Sequence, residues 1–179
     1  MHGDTASGES LDRLEASRAD TGELLHIRLR KGQAASPRGV VRFAEELIAR
    51  VDRAGATGEK LFRADSAFWN RKLITRLDAA SWFYSISVRL QFWVPEAIAR
   101  IPEQAWRALD DYPEDGQAQI AEITASGRRL IVRRTRPVGP QVELWPDWRY
   151  FPFITNRTDA FGNRGGRASP ARRRRAGRA

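Results

Sequence analysis

Lys60-Leu-Phe-Arg-Ala-Asp-Ser-Ala-Phe68 is the stretch on which the fold turns. Leu61 and Phe62 lie in a short strand over 60–64, and Asp65-Ser66 closes it with turn chemistry. An acid at the point where a strand stops is how many α/β sites are built. The plainer role for Asp65 is to cap the next turn, and local pattern alone favours that role. Downstream, Leu73, Ile74 and Leu77 mark one face of a helix over 70–80. Then Trp82, Tyr84, Ile86, Val88 and Leu90 alternate with Phe83, Ser85, Ser87 and Arg89, the pattern of a strand over 82–90. Upstream, Ser36-Pro37 opens a helix that Gly55 ends. Its apolar stripe is Val40, Phe43, Ala44, Leu47, Ile48 and Val51.

Before that helix, Leu25, Ile27 and Leu29 alternate with His26, Arg28 and Arg30, which predicts a half-buried strand over 24–30 with the apolar set inward. Asp20 and Gly22 supply a turn back to a segment over 14–18, completing a hairpin. The order is then β-β-α-β-α-β, with hairpin, helix and following strands expected in one mixed sheet. Residues 94–110 read as one or two short helices broken at Pro102, and 110–116 as an acidic turn. Two strands, 119–124 and 129–136, flank Ala125-Ser-Gly127. A loop rich in Pro and Trp spans 137–148, and a last strand spans 150–155. Residues 1–10 (MHGDTASGES) and 157–179 carry no apolar periodicity and are predicted to be disordered.

The chain has 179 residues and a net charge of +9. From Ala160 to the end there are seven arginines, Arg164, Arg167, Arg172, Arg173, Arg174, Arg175 and Arg178, and no acid, which leaves +2 for the rest. A basic balance points to polyanionic partners, of which nucleic acid is the commonest, although a solvated charged tail is the simpler account. There is no cysteine, so disulfides, thiolate metal sites and cysteine nucleophiles are excluded. No apolar run is long enough for a transmembrane helix and no signal peptide stands at the N-terminus, so a soluble cytoplasmic protein without a membrane partner is expected.

Arg63-Ala-Asp-Ser-Ala-Phe68 after a strand resembles the "R-A-D-S-G-F" block of bacterial insertion-sequence DDE transposases, with Ala67 in place of the glycine. Further blocks are similar in the same order. They are Arg18-Ala-Asp-Thr-Gly-Glu23 with Arg28-Leu-Arg-Lys-Gly32, then Arg38-Gly-Val-Val-Arg-Phe43, and Tyr84-Ser-Ile-Ser-Val-Arg89. Ile101-Pro-Glu-Gln-Ala-Trp106, Arg129-Leu-Ile-Val-Arg-Arg134 and Phe153-Ile-Thr-Asn156 follow. The resemblance spans residues 14–156.

It implies an α+β, RNase H-like mixed sheet with flanking helices, in which 11–156 form a partial catalytic domain with an inserted β-hairpin region. It implies cutting and joining of DNA in transposition, by carboxylates holding two Mg²⁺ (or Mn²⁺) ions. Asp65 matches the second acid of the triad, as catalytic residue and metal ligand. The first acid belongs to a strand before the hairpin and the third to a helix after the last strand. Asp4 and Asp12 do not lie in an apolar strand, and 157–179 contain no glutamate. A catalytically incomplete copy is therefore expected. The alternative is a non-catalytic DNA-binding remnant that inhibits transposition, and a homo-oligomer or an intact transposase is the expected protein partner.

Arg129, Arg133, Arg134 and Arg136 crowd the inserted hairpin beside Arg128 and are the candidate DNA-binding residues, with a solvated strand face as the alternative. His26 is expected on a strand surface. The six tryptophans are expected mostly in the core, with base stacking the rarer role.

Overall fold

The computed structural model describes residues 11–31, 39–110, 116–137 and 147–158. The predicted disordered lead, most of the Arg-rich tail, most of the acidic turn and most of the Pro/Trp loop fall outside these residues.

Strands β1 (Leu11–Ser17) and β2 (Leu24–Lys31) form an antiparallel hairpin. The turn uses the expected residues: Asp20 Oδ1 accepts from the Thr21 amide at 3.0 Å, and Gly22 takes φ 74°. Helix α1 (Val40–Arg53) buries Val40, Phe43, Ala44, Leu47 and Ile48, the stripe its spacing predicts. It starts after Gly39, and Ser36 and Pro37, the expected cap and first turn, lie outside the described residues. Gly55, at φ 75°, adopts the left-handed conformation that ends helices.

Strand β3 (Leu61–Ala64), helix α2 (Arg71–Ala79) and strand β4 (Phe83–Ser87) make a parallel β-α-β unit, in register from Leu61 opposite Phe83 to Ala64 opposite Ile86. Asn70 caps α2 by accepting from the Lys72 amide at 2.8 Å. Helix α3 (Trp93–Ala99) and a 3-10 turn at Glu103–Ala105 flank Pro102, where the break was expected. Strands β5 (Arg107–Ala108), β6 (Gly116–Ala125), β7 (Arg128–Pro137) and β8 (Arg149–Thr155) follow. The order across the six-stranded sheet is β3-β4-β8-β7-β6-β5, with only β3 and β4 parallel. Ser126 and Gly127 both have positive φ, the geometry that lets a two-residue turn follow the strand twist between β6 and β7.

One face of the sheet forms the core. Phe62, Tyr84, Ile86, Ile154, Leu130, Val132, Ala121 and Ala125 meet apolar residues of all three helices. Each fully buried Leu, Ile or Phe side chain contributes roughly 1.5–3 kcal/mol, more than an exposed ion pair. This face therefore dominates the stability. The molecule is mixed α and β, and among the described residues no helix is long and apolar enough to cross a membrane.

Three expectations are corrected. The hairpin does not join the larger sheet but stands as a two-stranded sheet of its own. A groove separates Glu15–Ser17 of β1 from Leu61–Asp65, and neither strand edge bonds to the other. In β2 Leu25 packs against the core as expected, but from His26 on the phase is inverted: His26 is 7% exposed, while Ile27 and Leu29 are 44% and 63% exposed. The reason is α1, which offers His26 and Arg28 a carboxylate and His26 a ring to lie on. Finally, β4 ends at Ser87, and Leu90, expected in the strand's buried set, is exposed.

Candidate functional site

Asp65 stands at the C-terminal end of β3, an edge strand. Its Oδ1 accepts from the Ala67 amide at 2.9 Å, so it caps the 3-10 turn Ser66–Phe68. The role favoured by local pattern is therefore present. It leaves the carboxylate at the mouth of the groove of about 280 Å³ between β3 and the hairpin. The groove floor is apolar, formed by Leu25, Phe43, Leu47, Phe62, Phe68 and Trp82, and its rim carries Arg63, Asp65 and Glu15.

Glu15, the other acid of the groove, sits 3.3 Å from Arg13. Among the described residues no three His, Asp or Glu side chains come together as metal ligands. Two divalent ions need carboxylates from several elements, spaced to share them. Asp65 and Glu15 are the two acids that line the groove, one from each of its walls.

Behind the groove lies a polar cluster that hydrophobic alternation misread. The His26 ring stacks on Phe43 with centroids 4.8 Å apart. Its Nε2 lies 2.9 Å from Glu46 Oε2, and Glu46 Oε1 accepts from Arg28 at 2.8 Å and Arg42 at 3.0 Å. The hydrogen bond with His26, then those from Arg42 and Arg28, hold the Glu46 carboxyl below the ordinary glutamate range. The signal available in sequence was the spacing of His26 and Arg28 on one strand face, with Arg42 and Glu46 one helical turn apart.

The four candidate arginines divide by strand parity. Arg134 and Arg136 turn to the helix side, while Arg129 and Arg133 turn to the opposite face. Arg134 is 3% exposed. Its guanidinium lies between Trp106, 4.1 Å to the centroid, and Trp148, 4.4 Å, and bonds Gln119 and both oxygens of Glu103. Those bonds hold the Glu103 carboxyl below its ordinary range. With its planar head spent on protein partners, Arg134 is closed to a phosphate. Arg136 lies over Trp148 at 4.5 Å and donates to Gln117. Arg129 bonds Glu122 and the Arg157 carbonyl. Arg133 is exposed and lies over Phe151 at 4.8 Å.

Of the tryptophans, Trp82 is buried, and Trp69, Trp93 and Trp106 are partly buried against the core, as expected for most of them. Trp145 lies outside the described residues. Tyr84 is buried too; its hydroxyl accepts from Arg128 at 2.9 Å, and burial raises its pKa.

No family model matches the chain, and no curated protein matches it.

Proposed function

We propose that this chain is a DNA-binding piece of an RNase H-like DDE transposase core, holding one metal-site acid without completing the catalytic centre. The observation that carries the reading is the position of Asp65. It ends the first strand of a parallel β3-α2-β4 unit, preceded by a hairpin and α1 in the order the resemblance implies. In open α/β sheets the carboxyl ends of such strands are where ligands bind. In an intact family member the corresponding acid would help hold Mg²⁺ and DNA would be cut and joined. In this chain the substrate contact would be electrostatic, made by arginines outside the core.

Its protein partner, on this reading, is an intact transposase or a second copy, and occupation of DNA ends without cleavage would inhibit transposition. The test is a supercoiled plasmid incubated with the purified chain and Mg²⁺ or Mn²⁺. Salt-sensitive DNA binding without nicking is the expected result. Nicking above background that disappears in Asp65→Ala would show a working nuclease core and overturn the incomplete-centre reading. Absence of DNA binding at low salt would overturn the reading as a DNA-binding piece.

A further inference from the structure

Residues directly opposite in neighbouring strands share a sheet face. Following the register from Leu61 and Arg63 leads to Phe83 and Ser85 on β4, and from Ser87 to Phe153 on β8. From there it leads to Ile131 and Arg133 on β7, with Arg133 opposite Phe151, and onward through Ile120 to Arg107 on β5. None of these residues belongs to the core shared with the helices. They make the face turned away from the described helices, on which Ile120 and Ile131 are buried while the residues around them are exposed or half-buried.

That face has a distinct chemistry. Phe151 is 44% exposed, and Phe83 and Phe153 are half-buried. Ser85 and Ser87, with short side chains, lie beside these rings. Arg63, Arg107 and Arg133 are exposed, and Arg129 and Arg149 lie on the same face. Across β3 to β8 its one acid is Glu122, which is bonded to Arg129. Guanidinium groups already rest on two of the rings, Arg133 on Phe151 and Arg157 on Phe83 at 5.4 Å.

We propose that this face binds an unpaired polynucleotide strand, with bases stacked on Phe151, Phe153 and Phe83 and phosphates held by Arg63, Arg107 and Arg133. The charge excess selects a polyanion. The flat rings select unpaired bases, because the π-faces of bases in a duplex are covered by their neighbours, whereas a splayed strand offers one to every aromatic side chain. Stacking on a sheet flanked by cations is sequence-tolerant, so neither a particular base order nor Asp65 is required. The proposal therefore stands apart from the transposase reading and survives if that reading fails. DNA and RNA share this chemistry, and the 2′-hydroxyl is what separates them.

The test is fluorescence anisotropy of the full chain with labelled oligothymidylate, oligouridylate and a duplex of equal length. Both single strands should bind more tightly than the duplex, and preference between them identifies DNA or RNA as the natural source. Phe151→Ala should weaken single-strand binding on the order of tenfold, and Phe151→Trp should retain it. Arg133→Ala should weaken binding and flatten its logarithmic salt dependence by about 0.7. Arg53→Ala, a matched charge loss on α1, should leave single-strand binding nearly unchanged. The proposal fails if no strand binds, if the duplex binds as well as the single strands, or if Phe151→Ala and Arg133→Ala bind like the parent chain. That last outcome would assign the affinity to arginines elsewhere.

Discussion

His26 lies nearly parallel to Phe43, 22° between ring planes, so a stacked pair joins the hairpin to α1 beside Ala16 and Leu25, which pack against the core. Truncating the ring removes the stack and the contact with Glu46 at a buried position. His26→Ala should cost about 1–3 kcal/mol of unfolding free energy. Ile27→Ala and Leu29→Ala, on the exposed face, should stay within about 0.5 kcal/mol. Urea unfolding of the three variants checks the contrast, and equal losses would restore the aliphatic set as the inward one.

The same cluster predicts an acid sensitivity. Glu46 has a lowered pKa in the folded chain, chiefly through its hydrogen bond with His26, so between the folded and unfolded values the unfolded chain binds more protons. The stability it supplies is complete above the ordinary glutamate range and is lost as the pH falls through the folded value. The gap in stability between the parent chain and Glu46→Gln should therefore be widest near neutrality and narrow in acid. Melting curves over that range measure it; a gap that widens in acid contradicts the assignment.

Arg134 is a structural residue whose planar head fits between two indoles. Lysine keeps the charge but offers neither a planar fork nor a flat face for both rings. Arg134→Lys should therefore destabilise the chain by about 1–3 kcal/mol. Arg133→Lys, at an exposed site, should change stability by less than about 1 kcal/mol. Paired denaturation curves decide it, and a tolerated Arg134→Lys would mean the sandwich carries little energy.

Asp65 has two separable roles. As a cap it needs an acceptor oxygen, which asparagine provides; as a metal-site acid it needs negative charge, which asparagine lacks. Asp65→Ala should cost about 0.5–2 kcal/mol, and Asp65→Asn should be close to neutral. Equal destabilisation by both would show that the negative charge itself, and not the acceptor geometry, matters for folding.

What was legible in the sequence follows from which interactions declare themselves locally. The α1 stripe, the apolar face of α2, the strand-acid junction at Asp65 and the Ser126-Gly127 turn depend on neighbours a few residues away, and each stands where its pattern placed it. The inward face of β2 depends on Glu46 and Phe43, some twenty residues on, and no alternation rule registers a carboxylate waiting on another element. The four arginines of β7 looked like one patch because they are close in sequence, yet a period of two sends half of them to each side. The same period, applied to Tyr150-Phe-Pro-Phe153, would have found Phe151 and Phe153 on the face of Arg133. Unlike Asp65, those rings form no motif, and their meaning appears only when β4, β7 and β8 are laid side by side.

The place of β8 in the sheet has a consequence for the order of assembly. It is the last described strand along the chain, yet it sits between β4 and β7. Until residues 149–155 leave the ribosome, β3 and β4 on one side and β5 to β7 on the other share no strand that joins them. The β6–β7 hairpin closes over a two-residue turn and can form early, whereas Ser85 must wait for Thr155. Contacts of such long sequence separation are slow to form. Pulse-labelled hydrogen exchange during refolding should therefore protect β6 and β7 first and β4 only when β8 docks, so that a chain stopped before Arg149 is left as two half-sheets without their keystone.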